Sequence, residues 1–328
     1  MLPHYSTVLL TYGSSLSNPL SDVSGSSSSA HPLDGVYPAL ALVGWYNGHP
    51  AFAHLRPDLT NTRKVSVIGH GNVALDVSRI LLKNVDDLRS TDIPESVLDV
   101  LASSRVESVT ASGRRGPGQV AFTTKEFREM LNLNGVGYEG LTTDQAEGAR
   151  GMVAGDRMKK RLLALMEKSG GTGHKEFKLE FLKSPKEFIA GANGNVSQVE
   201  WEENELLSSS PAPPSVPSSQ VSSQPKPSIV ARPTGRTSVS DAEMVVESVG
   251  YRSEPLGVGE SWSLPFDLGK GRVRNVGGRV VDETGVAVGL SVFNRNARAF
   301  KRFHWRNARP NSLTGYLNRK RGLGAEKE

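Results

Sequence analysis

Residues 65–82 read VSVIGHGNVALDVSRILL, and this stretch decides the fold. Val65 to Ile68 is a short apolar run rich in β-branched residues, a strand signal, and Gly69 ends it. Val73, Val77, Ile80 and Leu81 then recur at i, i+4, i+7 and i+8, the stripe of a helix with one buried face. Between strand and helix lies Gly69-x-Gly71-x-x-Ala74, placed where a dinucleotide fingerprint sits. Gly69 allows the tight turn, Gly71 lets a pyrophosphate approach the backbone, and Ala74 lets the helix pack closely on the strand. The N–H groups of the first helical turn and the positive helix end then bind the phosphates. Many strand–turn–helix junctions use glycine without a ligand, but both flanking elements are in place here, and dinucleotide binding is the stronger reading.

Working outward, Val106 to Ala111 alternates like the next strand and runs into Ser112-Gly113-Arg114-Arg115-Gly116-Pro117. An NAD site usually carries an acid at this strand end for the ribose 2′-hydroxyl. Two arginines and no acid favour NADP(H), because a guanidinium binds a 2′-phosphate bidentately where a carboxylate would repel it. The plainer reading makes Arg114 and Arg115 ordinary surface residues. Thr123-x-x-Glu126 fits a capping box that opens another helix; alternatively, Glu126 also reaches the nicotinamide end of the cofactor.

Further helices are expected over 95–103, from Thr123 or Thr124 onward, and over 157–168. Strands are expected at Val8–Leu10, 177–182, 196–201 and 243–249. Strands alternating with helices argue for a doubly wound, Rossmann-like α/β domain with a parallel sheet. Two stretches read as solvated insertions. Residues 21–30 (SDVSGSSSSA) are expected to be a flexible loop, and residues 207–240, rich in Ser, Pro and Gln, a disordered loop between two strands. On the 157–168 helix, Met158, Leu162, Leu165 and Met166 form the apolar side. Arg157, Arg161 and Lys168, with Lys160 beside them, form a basic strip. It is either a solvated face or a dock for an acidic partner.

The bulk numbers exclude several classes. The chain has no cysteine, so disulfides, thiolate metal sites and a redox dithiol are ruled out. Any electron chemistry needs a bound cofactor. Its histidines show no metal-ligand spacing, and no metal site is expected. No window has the roughly 18 apolar residues of a membrane span, and the opening residues lack the basic region of a signal peptide. The net charge of +5 is concentrated in residues 293–328, which hold ten Lys/Arg against two Asp/Glu. That tail has no recognisable nucleic-acid-binding fold, and no nucleic acid is expected as a partner.

Six strings together resemble the adrenodoxin reductase family: LVGWYNG (42–48), IGHGNVALDVSRILL (68–82), SSRVESV (103–109), GRRGPGQVAFTTKEFREM (113–130), FLKSP (181–185) and VESVGYRSEP (246–255). The resemblance implies a flavoprotein reductase, mitochondrial in most members, that passes electrons from NADPH through FAD to a small ferredoxin- or adrenodoxin-type iron–sulfur protein. It implies that His70, Gly71, Asn72 and Val73 lie at the phosphates and that Arg114 and Arg115 hold the 2′-phosphate. Glu126 would lie near the nicotinamide, and Arg157, Lys160 and Arg161 would dock the iron–sulfur partner. Trp45, Tyr46 and Asn47 match a family segment to which the sequence assigns no chemistry. The domain expectation is a remnant of the FAD-binding domain with a Ser-rich loop over 1–34, an NADP-binding domain over 35–246, a return segment of the partial FAD-type domain over 247–292, and an atypical basic tail over 293–328. Because the family's first Gly-rich unit and its closing flavin-contacting segment are not found, the chain is expected to be a truncated or mispredicted member. The alternative function is a non-catalytic NADP-binding fragment without FAD.

Overall fold

The computed structural model describes residues 8–209, 228–256 and 264–292. It divides into a larger unit, Ser17–Tyr251, and a smaller one made of residues 8–16 and the described residues from Arg252 onward.

The larger unit runs β1 (Val36–Pro38), α1 (Ala39–Tyr46), β2 (Lys64–Ile68), α2 (Asn72–Leu82), α3 (Glu95–Ala102), β3 (Ser108–Gly113), α4 (Thr124–Leu131), β4 (Val136–Gly137), α5 (Thr143–Val153), α6 (Arg157–Met166), β5 (Lys175–Phe181), β6 (Lys183–Ala190), β7 (Val196–Ser209), β8 (Ser228–Asp241) and β9 (Met244–Glu247). Six strands make a parallel sheet in the order β1-β9-β2-β3-β5-β4. From β1 through β2 and β3 to β4 the chain steps the same way across the sheet, and β5 then turns back to insert between β3 and β4. The connecting helices pack on one face. There Val65, Val67, Val109, Phe177 and Val246 pack with Leu42, Val77, Leu98, Phe127 and Met166 of the helices.

The opposite face is covered by an antiparallel sheet, β8-β7-β6. Strand alternation sends Ile68 and Val245 to that side, where they meet Phe188, Val199 and Trp201. The α/β sheet expected from the sequence is present, with a β layer where its helix-free face would otherwise be bare. The expectation of a disordered loop over 207–240 is corrected in part: Ser228–Asp241 is a 14-residue strand paired with Val196–Ser209. Main-chain pairing needs no apolar sequence, and Trp201 Nε1 donates to Ser240 Oγ across the pair at 2.8 Å. The remaining part of that expectation, residues 210–227, lies outside the described residues, as does the basic tail.

The serine-rich stretch also departs from its reading. Ser26 is fully buried and its hydroxyl donates to the Leu20 carbonyl at 2.8 Å, while Ser29 Oγ donates to Ser26 O at 2.8 Å. Ser27 donates its N–H to Glu247 Oε1 at 3.1 Å and its hydroxyl to Oε2. Short hydroxyl-to-backbone bonds help fold such a segment, and Val23 anchors it in the core beside Phe188 and Trp201. Residues 17–34 thus belong to the larger unit, and its end falls at Tyr251, where the sequence reading had placed domain limits at 34 and 246.

Two helices have no counterpart in the sequence reading. In α1, ALALVGWY is apolar all round and offers no stripe. In α5 the buried residues are only Ala146, Ala149 and Val153, although Thr142 and Gln145 form a complete capping box before it. On α6 the buried residues are Leu162, Leu163 and Met166, whereas Met158 is 73% exposed. Met158 therefore leaves the apolar side expected for it.

In the smaller unit, Val8–Leu10 pairs in parallel with Ala287–Val292, and Arg279–Val281 and Asn275–Val276 extend the sheet. Leu264, Val273 and Val280 form its core.

Candidate dinucleotide-binding site

The site is assembled at the carboxyl ends of β2, β3 and β9, where open parallel sheets hold their ligands. Gly69 has φ +128°, and a Cβ on it would lie 2.3 Å from the Ser248 carbonyl oxygen. The turn is tight because β9 runs alongside it, and Gly69 N–H donates to Ser112 O at 2.7 Å. Gly71 is the N-cap of α2 and gives the first-turn amides no side-chain acceptor. A Cβ added there would meet nothing within 4 Å. The fold itself does not require glycine at 71; the open space beside it suits an anion resting on the helix end. Ala74 is fully buried against the sheet, and Val73 is half-buried.

At the other end of α2, the half-buried Lys175 ammonium donates to the Leu82 carbonyl at 3.2 Å. Burial holds this lysine below its ordinary range.

His70 turns inward. Its Nε2 lies 3.0 Å from the Ala111 carbonyl, and its ring centroid is 4.8 Å from that of Phe181. A Cβ on Gly113 would lie 2.6 Å from His70 Nδ1, so glycine at 113 makes room for the imidazole. Burial pulls the His70 pKa down to about 4, against weaker upward contributions from the Ala111 and Glu180 backbone. The ring is neutral near pH 7 and carries no charge toward a phosphate. What His70 offers on the loop side is backbone: its carbonyl accepts from Ala121 N at 2.8 Å and Phe122 N at 3.1 Å.

Arg114 and Arg115 follow β3, both exposed, with no ion pair among the described residues. The turn after them, Pro117–Gln119, is braced from three sides. Gln119 Nε2 donates to Ile229 O of β8 at 2.9 Å, Lys159 Nζ of α6 donates to Gly118 O at 3.3 Å, and Met152 of α5 packs where a Gly118 Cβ would lie 3.1 Å away.

Thr123 caps α4, its hydroxyl accepting from Glu126 N at 3.3 Å. The expected capping box does not close: the Thr123 N–H goes to Asn72 Oδ1 at 2.8 Å, not to Glu126. The Glu126 side chain is half-buried with no partner among the described residues. Close by on α2, Arg79 bridges Asp76 and Glu129. Trp45 and Tyr46 are core residues of α1, and burial, with Asp76 and Tyr251 nearby, drives the Tyr46 phenol strongly upward. Packing therefore accounts for the segment whose chemistry the sequence left blank.

On α6, Asp156 caps the first turn by accepting from Met158 N and Lys159 N at 3.0 and 3.1 Å. Arg157, Lys160 and Arg161 are exposed and have no ion pair among the described residues. The turn, the arginine pair and Glu126 thus share the sheet's carboxyl edge and the helix starts beside it. Arg157, Lys160 and Arg161 stand apart on α6, joined to the arginine loop through Lys159.

No protein-family model matches the chain. It is 38% identical over 255 residues to the NADPH-ferredoxin reductase FprA of Mycobacterium tuberculosis, covering 76% of this chain and 50% of that protein. It is 36% identical over 288 residues to the mitochondrial NADPH:adrenodoxin oxidoreductase of Drosophila melanogaster, covering 86% and 54%. The solved structure of M. tuberculosis FprA in complex with NADPH superposes with a TM-score of 0.67 at 32% identity, over 88% of this chain and 58% of that one. The chain spans about half the length of the curated relatives it matches. At this identity over most of its length, the chain belongs to the adrenodoxin reductase family.

Proposed function

We propose that the larger unit binds NADP(H) and that the protein serves as an NADPH-dependent flavoprotein reductase of an iron–sulfur partner. One observation carries the reading: two exposed arginines, without ion pairs among the described residues, follow the strand next to a glycine-capped helix start with open space beside it. The Gly71–Ala74 backbone would hold the pyrophosphate on the positive end of α2. Arg114 and Arg115 would take the 2′-phosphate by charge-assisted hydrogen bonds, and Glu126 would face the nicotinamide end. His70 would contribute main chain to the phosphate loop while its ring supports the turn from below.

The nicotinamide supplies hydride when bound. The protein's share is to orient it, keep the selecting charges unpaired beforehand and exclude NADH by leaving two cations unsatisfied. The family resemblance supplies FAD as the next carrier and a ferredoxin- or adrenodoxin-type protein as the acceptor. Arg157, Lys160 and Arg161 on α6 are the proposed docking charges, complementary to an acidic partner. The relatives from Drosophila melanogaster, Arabidopsis thaliana and Bos taurus are mitochondrial by name. A mitochondrial matrix or inner-membrane location is proposed on that basis and is checked by cell fractionation.

Titration of the purified chain with NADPH and NADH, alongside its flavin content, tests the reading. The Arg114→Ala/Arg115→Ala double variant should lose about 2–3 kcal/mol of NADPH binding, the scale of hydrogen bonds to charged groups, with NADH binding little changed. Equal losses for both cofactors would overturn the role of the arginines. Stoichiometric FAD supports the reductase, and NADPH binding by flavin-free protein supports the alternative of an NADP-binding piece.

A further inference from the structure

The helix α4 begins with the sequence pattern of a capping box, yet the box is open on one side. In a closed box the carboxylate three residues in takes the N–H of the cap residue. Here that N–H, on Thr123, is 2.8 Å from Asn72 Oδ1, an atom from the first turn of a different helix. The neighbouring bonds run the same way: His70 O accepts from Ala121 N and Phe122 N. The segment 121–123 is therefore tied to the turn 70–72 by three hydrogen bonds, and the starts of α2 and α4 are held side by side.

We infer that Asn72 is a positioning residue whose side chain replaces Glu126 in the α4 cap and thereby leaves the Glu126 carboxylate available to the nicotinamide half of NADP(H). The chemistry of the cap explains the trade. A helix start has only a few orphan N–H groups, and a glutamate that satisfies the cap amide is folded back on its own helix. Giving that amide a neutral acceptor from α2 keeps the cap satisfied and the carboxylate unclaimed. It also makes the phosphate turn and the nicotinamide-facing residue one rigid assembly. The inference rests on the NADP(H) reading above and concerns the Asn72 amide oxygen, which the Thr123 N–H already occupies.

The test uses the full chain in two parts. Amide hydrogen exchange without cofactor reads the clamp itself. In a Glu126→Ala background, where no carboxylate can take over the cap, Asn72→Ala should lower protection at Thr123 about tenfold, the scale of one hydrogen bond, while Phe122, bonded to His70 O, stays protected. Asn72→Asp, which keeps the acceptor, should restore it. Calorimetry then compares NADP+ with 2′,5′-ADP, which lacks the nicotinamide half. Asn72→Ala should weaken NADP+ about tenfold and leave 2′,5′-ADP unchanged, and in a Glu126→Gln background it should cost nothing further. Unchanged Thr123 exchange in the Asn72→Ala/Glu126→Ala variant overturns the clamp, and so does loss of Thr123 protection in a folded Asn72→Asp. Equal weakening of both ligands overturns the positioning role in favour of a phosphate contact. Failure of the wild-type chain to bind either ligand would sink the NADP(H) reading alone, since the exchange result needs no ligand.

Discussion

A methyl group on Gly69 would sit 2.3 Å from the Ser248 carbonyl oxygen, at a φ of +128°, whereas on Gly71 it would meet nothing within 4 Å. The two glycines of one motif therefore answer to different demands: the fold requires glycine at 69, and at 71 the proposed phosphate site does. Gly69→Ala should destabilise the protein by at least about 2 kcal/mol in urea unfolding, through clash and backbone strain together. Gly71→Val should stay within about 1 kcal/mol of wild type by the same measurement, yet abolish detectable NADPH binding by occupying the phosphate approach. His70 makes a pH prediction. Its folded pKa of about 4 lies below the value near 6.5 of an unfolded histidine. Between these values the unfolded chain binds more protons, so stability from this residue is complete above about pH 6.5 and declines as pH falls toward 4. Unfolding free energies of wild type and His70→Gln, measured across that window, should converge toward its acid end. A constant difference would remove the buried neutral imidazole from the account.

At the scale of elements, the brace on the arginine loop joins parts distant in sequence. Gln119 reaches β8 and Lys159 reaches back from α6. Replacing both, as Gln119→Ala with Lys159→Met, should leave the melting temperature nearly unchanged, since each is one partly exposed bond. The NADPH-over-NADH preference should fall several-fold, read by parallel titrations. Elements with a periodic apolar stripe were legible in advance: β2, α2, α3 and α4 all appear where Val65–Ile68, Val73–Leu81, Val97–Leu101 and Phe127–Met130 place them. The glycine turn was legible for a related reason, since its geometry is local to one strand–turn–helix unit. What could not be read depends on partners far along the chain. Thr123 and Glu126 spell a capping box, and only the approach of Asn72 shows that it stays open. The polar arm 228–241 has no stripe, and only pairing with 196–209 makes it a strand. Likewise α1, uniformly apolar, had no face to recognise until the sheet gave it one.

For the whole molecule, the larger unit has cores on both faces of its sheet, and both are drawn from residues within 17–251. A chain of residues 17–251 should therefore fold cooperatively by circular dichroism and bind NADPH within a few-fold of the full chain, without retaining flavin. Loss of NADPH binding in a folded 17–251 chain would show that residues outside this unit complete the site. Among the described residues, the hydrophobic cluster around Val273 and Val280 is much less extensive.

The bond from Lys175 to the Leu82 carbonyl has a consequence for the opposite end of α2. A peptide helix is an electrical dipole, and a cation seated on its tail neutralises that pole while the head stays bare. Over eleven residues, roughly 16 Å, the helix is thus left asymmetric, with an uncompensated attraction facing the glycine turn. If α2 holds a phosphate as proposed, part of its pull is set by a lysine at the far end of the helix.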